Sequence, residues 1–138
     1  FNNQTVFDFG CGTGVLAILA EKLGATSILA VDYDDWCIEN SMENVEKNQC
    51  THITVVKGDA PPADKAFNII LANINRHILL GNMQAMASAL TDKGYLLMSG
   101  FYAEENQLLI DAATNHGLQL MKASERHTWS SLLFQKIS

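Results

Sequence analysis

The chain has 138 residues, of which 48% are apolar and 17% charged, with a formal net charge of −6 and a pI near 5.0. This composition excludes a disordered chain and is that of one domain of ordinary size with enough apolar surface to bury a core. The acidic balance disfavours direct contact with nucleic-acid phosphates and suits a basic protein partner better.

Thr5 to Phe9 is a short, mostly apolar run that ends at glycines, which predicts a buried strand. Thr13 to Leu23 carries Val15, Leu16, Ile18, Leu19 and Leu23 at helical spacing, and Gly24 is a natural stop. Ser27 to Val31 is a second buried strand. Asp35 is placed to cap a helix reaching about Asn48, with Trp36, Ile38, Met42 and Val45 on its apolar side. Ile53 to Val56 is a third strand, and Pro61-Pro62 marks a loop. Phe67 to Ala72 is a fourth strand. A helix from about Ile78 to Leu90 follows, and Lys93-Gly94 turns the chain into a fifth strand, Tyr95 to Ser99. Ala103 to Asn115 is helical, ended by His116-Gly117. Leu118 to Glu125 and Thr128 to Lys136 then follow with no helix between them and read as an antiparallel pair. The alternation predicts an α/β, Rossmann-like fold: a seven-stranded, mostly parallel sheet with helices on both faces and a C-terminal antiparallel hairpin. A strand begins almost at once after Phe1, so a single domain belonging to a longer protein is expected.

Cys11, Cys37 and Cys50 form no Cys-x-x-Cys pair and are odd in number. No metal site and no disulfide framework are expected, and a reducing, cytoplasmic compartment fits best. No apolar run has the length of a membrane span. His52, His77, His116 and His127 are scattered without metal-ligand spacing and read as surface or capping residues.

Ligands of open parallel α/β sheets bind outside the carboxyl ends of the strands. Here those ends are Phe9-Gly10, Val31-Asp32, Lys57-Gly58-Asp59, Ala72-Asn73 and Gly100-Phe101. Gly10, Gly12 and Gly14 form a glycine loop that lets a ligand approach the main chain. A dinucleotide usually requires G-x-G-x-x-G and rests its pyrophosphate on the helix N-terminus. In this chain the third glycine comes one place early, at Gly14, and Asp8 precedes the loop. A carboxylate there opposes a pyrophosphate and favours a cationic amine. S-adenosylmethionine has an α-ammonium group, a sulfonium and no phosphate, so electrostatics favours it over NAD. Asp32 is placed to accept both ribose hydroxyls, although capping of the next helix with Asp34 and Asp35 is the alternative. Asp59 is placed to bond an adenine amine, with small Ala60 leaving room for the ring; a plain loop aspartate is the alternative. Trp36 is placed either to cover adenine or to enter the core. Cys11, between two glycines, reads as a small packed residue of the binding loop rather than a nucleophile. Asn40, Asn44 and Asn48 lie on one helix face at i, i+4 spacing and read as structural.

Four segments carry a family resemblance: Val6 to Ile18; Lys22-Leu23-Gly24-Ala25 leading to Val31-Asp32-Tyr33-Asp34; Glu39-Asn40 with Asn44 and Asn48; and Ile69-Ile70-Leu71-Ala72-Asn73-Ile74. With them the sequence resembles class I S-adenosylmethionine-dependent methyltransferases, and more narrowly the ribosomal protein L11 methyltransferase (PrmA) family. The resemblance implies cofactor-binding roles for Asp8, Gly10, Cys11, Gly12, Gly14, Asp32, Tyr33, Asp59, Ala60 and Asn73. It also implies catalytic positioning by Asn73 and, as substrate, lysine or α-amino groups of a basic large-subunit ribosomal protein, with no direct nucleic-acid or membrane contact. The family's amino-terminal substrate-recognition domain is not found in this sequence. Family members typically continue Asn-Ile with Leu-Ala, where this chain has Asn75-Arg76. Asn73 suits amine methylation because an amide oxygen accepts N–H bonds without holding the amine protonated, as a carboxylate would. Another protein or a small molecule as substrate, or a non-catalytic cofactor-binding module, remain the alternatives.

Overall fold

Parallel strands covered on both sides are apolar throughout, and the runs that satisfy this become strands in the computed structural model, which describes residues 1–137. The chain divides into two units, Phe1–Ala60 and the part from Pro61 onward.

The first unit consists of β1 (Thr5–Phe9), α1 (Val15–Lys22), β2 (Ser27–Asp32), α2 (Asp35–Lys47) and β3 (Ile53–Lys57). Its strands are parallel in the order β3-β2-β1, with Phe9 opposite Val31 and Asp32 opposite Lys57. That register brings the glycine segment, Asp32 and the start of the Gly58-Asp59 loop to one edge. Val6, Phe7 and Phe9 are buried, and Asp8 is buried among them.

Two expectations are corrected here. Helix α1 begins at Val15, because Gly14 stands at its N-cap with φ +84°. Its buried positions are Ala17 and Ala20, whereas Val15, Leu19 and Leu23 are exposed. The largest apolar side chains of α1 therefore do not mark its inward face; alanines do, as close approach to a sheet requires. In α2 the cap is Asp34, whose side chain accepts the Trp36 N–H at 2.8 Å, one residue earlier than expected. Trp36 and Met42 are exposed, and the buried residue of that helix is Ser41.

The second unit consists of β4 (Phe67–Asn73), α3 (Arg76–Gly81), α4 (Met83–Ser88), β5 (Leu90–Tyr102), α5 (Asn106–Asn115), β6 (Leu118–Arg126) and β7 (Trp129–Lys136). Its strand order is β4-β5-β7-β6, with β4 and β5 parallel and both β5/β7 and β6/β7 antiparallel. The helix expected from Ile78 to Leu90 is instead two short ones. The break follows Gly81 at Asn82, whose side-chain amide donates to the Ile78 carbonyl at 3.0 Å. Glycine and asparagine are weak helix residues, the latter because it competes for backbone bonds. Strand β5 is also longer than expected at both ends. Its pairing jumps from Leu90 opposite Phe67 to Tyr95 opposite Ile69, so the predicted Lys93-Gly94 turn is an excursion within the strand. At the other end it runs through a bulge at Gly100 to Tyr102. The helix expected from Ala103 opens with a 3-10 turn, Ala103–Glu105.

The fold is thus of the α/β, Rossmann-like type, a mostly parallel seven-stranded sheet with an antiparallel C-terminal pair and helices alongside. The second unit's core is built on Ile70, Leu96, Met98, Leu109, Leu118 and Phe134. Lys136 closes it: its ammonium donates to the Ala87 and Leu90 carbonyls at 2.8 and 3.0 Å, where α4 ends and β5 begins. Lys136→Met keeps the apolar stem and deletes both bonds. Urea denaturation is expected to show a loss of about 1–2 kcal/mol, whereas Lys122→Met on exposed β6 changes stability by less than ~0.5 kcal/mol. Equal effects would contradict the assigned closure.

Candidate functional site

The loop after β1 is fixed by its own backbone and by α2. The N–H groups of Gly10 and Cys11 both donate to the Val31 carbonyl, at 2.8 and 2.9 Å. Gly12 has φ +58°, and a Cβ there would meet nothing within 4 Å, so its backbone faces open space. Gly14 is the opposite case: a Cβ would lie 3.3 Å from the Ser41 side chain. Helix α2 braces the loop from that side. The Ser41 hydroxyl donates to the Gly12 carbonyl at 2.7 Å, and the Asn44 amide donates to the Thr13 carbonyl at 2.9 Å. Sequence reasoning missed Ser41. No local signal marked it: its burial in α2 and its bond to the Gly12 carbonyl emerge only in the fold.

Asp32 ends β2 and faces the loop. One carboxylate oxygen accepts the Gly12 N–H at 3.0 Å and the other accepts the Asp34 N–H at 3.0 Å. Asp32 therefore braces the glycine loop, while Asp34 caps α2. A carboxylate oxygen has two acceptor positions, so one remains on each. The carbonyl of Asp32 takes the Gly58 N–H at 2.9 Å, which ties the third loop to the same point. Asp59 and Ala60 follow on that loop and are exposed. Tyr33 is also exposed, as is Trp36, so neither lies in the core.

Asp8 is the anomaly of this unit. It is 1% exposed, and neither carboxylate oxygen has a hydrogen-bond partner. Burial pushes its pKa up from 3.8 to about 7; the backbone amide of Ala17 in α1 opposes the rise without completing a hydrogen bond, and the charge of Asp32 adds to it. Cys11 is buried too. Burial pushes its thiol up to about 11 despite the Ser41 hydroxyl 3.4 Å away, so it is a packed thiol and not a poised nucleophile.

Asn73 belongs to the second unit, at the end of β4, and is exposed. Its side-chain oxygen accepts the Ser99 hydroxyl at 3.3 Å. Gly100, with φ +91°, makes room for it: a Cβ there would lie 2.9 Å from that oxygen and 3.0 Å from the Ile74 nitrogen. Ser99 and Gly100 are supports that the sequence marked only as a polar break. The Asn75-Arg76 departure has a local use. The Asn75 side chain accepts the Ile78 N–H at 3.1 Å and caps α3, and Arg76 pairs with Glu105 at 3.3 Å. Among the described residues no group of three or more His, Cys, Asp or Glu could hold a metal ion.

A parallel α/β edge with a braced glycine loop, an adjacent acidic strand end and an unpartnered buried carboxylate defines a Rossmann-like cofactor-binding domain of the methyltransferase fold class. The family described as "Ribosomal protein L11 methyltransferase (PrmA)" matches residues 2–137, and the chain belongs to that family. Ribosomal protein L11 methyltransferase of Porphyromonas gingivalis is 50% identical over 131 residues, covering 94% of this chain and 45% of that protein. The protein of the same name from Thermotoga neapolitana is 33% identical, covering 95% and 50%. The chain thus spans about half the length of the curated relatives it matches. The crystal structure of a ribosomal protein L11 methylase from Lactobacillus delbrueckii superposes with a TM-score of 0.94 at 30% identity, over 99% of this chain and 72% of that one.

Asp8 makes stability depend on pH. Its folded-state pKa, about 7, lies above the unfolded value of 3.8, so the fold prefers it protonated. That contribution is fully present below the unfolded value and is lost as pH rises through about 7. Asp8→Asn keeps the shape and is always neutral. In the ligand-free protein it is expected to be more stable than the parent near pH ~8, by on the order of 4 kcal/mol at most, with the advantage gone below about pH 4. Denaturant titrations across that range measure it, and a variant no more stable near pH ~8 would show that Asp8 has a partner after all.

Proposed function

We propose that this chain is the S-adenosylmethionine-binding catalytic domain of an enzyme that N-methylates lysine or α-amino groups of ribosomal protein L11, with substrate recognition assisted from outside the domain. The observation that supports the reading most is Asp8. A buried carboxylate with both oxygens unpartnered, beside an open glycine loop, calls for a cation and repels a phosphate. The proposed cofactor has an ammonium group and no phosphate, whereas a dinucleotide would bring its pyrophosphate toward the same carboxylate. The two remaining acceptor positions on Asp32 match a pair of vicinal ribose hydroxyls. Asp59 with the small Ala60, on the loop anchored to Asp32, suits an adenine amine and ring.

When bound, the cofactor supplies a methyl group on a positively charged sulfur, already activated for displacement. The chain's own part is alignment and control of the proton. A lysine amine has an ordinary pKa of ~10.4 and attacks only when neutral; loss of solvent around it favours that form. Asn73 accepts an N–H of the amine through the lone pair that Ser99 leaves free, which directs the nitrogen lone pair outward. An amide does this without stabilising the ammonium. The acidic chain, at −6, suits a basic ribosomal protein as partner, in the cytoplasm.

Two variants separate the roles. Asp32→Ala loses both the ribose contact and the brace on Gly12, and calorimetry with S-adenosylhomocysteine is expected to show affinity at least ~30-fold weaker, from charge-assisted bonds of about 1.5–3 kcal/mol together with a loosened loop. Asn73→Ala is expected to bind with unchanged affinity, and in the full-length protein to lower turnover on ribosomal protein L11 by about 10- to 100-fold. Wild-type affinity in the first variant, or wild-type turnover in the second, would remove that residue from the site. A wild-type protein that binds the cofactor but transfers no methyl group to ribosomal protein L11 would leave the site standing and the substrate wrong.

A further inference from the structure

We propose that the cleft at the outer end of β5 is a subsite for a lysine or arginine side chain that flanks the methylated residue in the protein substrate; the proposal rests on the protein-methylating reading above. Tyr102, the last residue of β5, stands opposite Trp129, the first of β7, and their rings stack with centroids 4.4 Å apart and 22° between planes. A stack of this kind ordinarily closes a core, yet the two residues are 44% and 51% exposed. One face of each ring is covered by the other, and their solvent-exposed surface remains available. Exposed tyrosine and tryptophan faces attract a cation, tryptophan most strongly.

The space beside the stack is acidic. A cleft of about 310 Å³ is lined by Tyr102, Ala103, Glu104, Glu125 and Thr128, with two carboxylates and no lysine or arginine among them. Arg126 and Trp129 lie opposite each other in register and both line the neighbouring groove, so Trp129 meets the cleft only through its stack on Tyr102. The volume is at the small end for ligand sites, which suits one extended basic side chain, its stem along the Tyr102 ring that Trp129 backs and its charge between the glutamates.

The lining is also held in place. The Tyr102 N–H donates to one oxygen of Glu105 at 3.0 Å, and Arg76 pairs with the other at 3.3 Å. The Ala103 N–H donates to the Thr128 carbonyl at 2.9 Å. Thr128 itself sits at φ +70° after His127 at +51°, two consecutive left-handed residues at a hairpin tip where glycine or asparagine is the usual choice. Glu105 is thus a positioning residue for Tyr102, and its own charge is taken up by Arg76.

Placement decides which substrate side chain enters. Asn73 pairs with Ser99, and Tyr102 lies three residues further along β5, about 10 Å at the strand rise. The cleft therefore takes a neighbour of the reacting residue and not the reacting amine itself.

The test uses two readouts. In a Trp36→Phe background Trp129 is the single tryptophan, and its fluorescence is followed during titration with tetralysine and with fully side-chain-acetylated tetralysine. A saturable, salt-sensitive change with tetralysine is expected, at least ~5-fold weaker with the acetylated peptide and at least ~5-fold weaker in Glu104→Gln/Glu125→Gln. Equal responses to both peptides, an unaltered response in the double variant, or no response would overturn the proposal. In the full-length protein the double variant is expected to raise KM for ribosomal protein L11 about 5- to 20-fold, with kcat changed less than ~3-fold and S-adenosylhomocysteine affinity unchanged. An unaltered KM with normal methylation would sink the subsite and leave the methyltransferase reading intact. Tetralysine binding without any methylation of that protein would do the reverse.

Discussion

A carboxylate buried at the end of β1 without a hydrogen-bond partner is the constraint around which the first unit is arranged. Left charged and unpaired, Asp8 weakens the fold; left protonated, it serves no electrostatic purpose. Its raised pKa, about 7, records that conflict. The backbone amide of Ala17, at the start of α1, opposes the shift only in part. On the proposed reading, a cationic group arriving over the glycine loop would resolve it and turn the unfavourable burial of Asp8 into a source of selectivity. On the same reading the carboxylate would count against phosphate-bearing ligands.

The glycine loop would not hold its shape through its own residues alone. Ser41 and Asn44 of α2 grip the Gly12 and Thr13 carbonyls, Asp32 grips the Gly12 amide, and the Gly58 amide ties the third loop back to Asp32. Helix α2 and the end of β2 thus converge on one short segment, with the third loop tied to the same Asp32, and the space beside Gly12 is left open. In the second unit the same logic appears on a smaller scale. Ser99 orients Asn73, and Gly100 gives up a side chain so that Asn73 can sit where it does.

Most strands were legible because buried parallel strands are continuous apolar runs, and their ends fell within a residue or two of the glycine and polar breaks. Strand β5 was the exception. Its excursion at Thr91 to Gly94 and its bulge at Gly100 depend on pairing with β4 and β7, which local pattern does not carry. Helix faces were read less well. Val15, Leu19 and Met42 were read on the apolar side of their helices from size and spacing, but Ala17, Ala20 and Ser41 took the buried positions, Ser41 against the glycine loop, because close packing selects small side chains. Asp8, Asp32 and Asn73 stood out because polar residues at the ends of apolar strands need a reason. Ser41 and Ser99 did not, since a serine acquires meaning only from the carbonyl or amide it meets across the fold.

Proton release on cofactor binding tests the central role of Asp8 most directly. Calorimetric titration with S-adenosylhomocysteine near pH ~6, repeated in buffers of different ionisation enthalpy, counts the protons exchanged. With Asp8 mostly protonated in the free protein and ionised against the ligand's ammonium in the complex, close to one proton is released, and Asp8→Asn abolishes the release. Binding of normal affinity with no net proton exchange, or the same exchange in Asp8→Asn, would contradict the account.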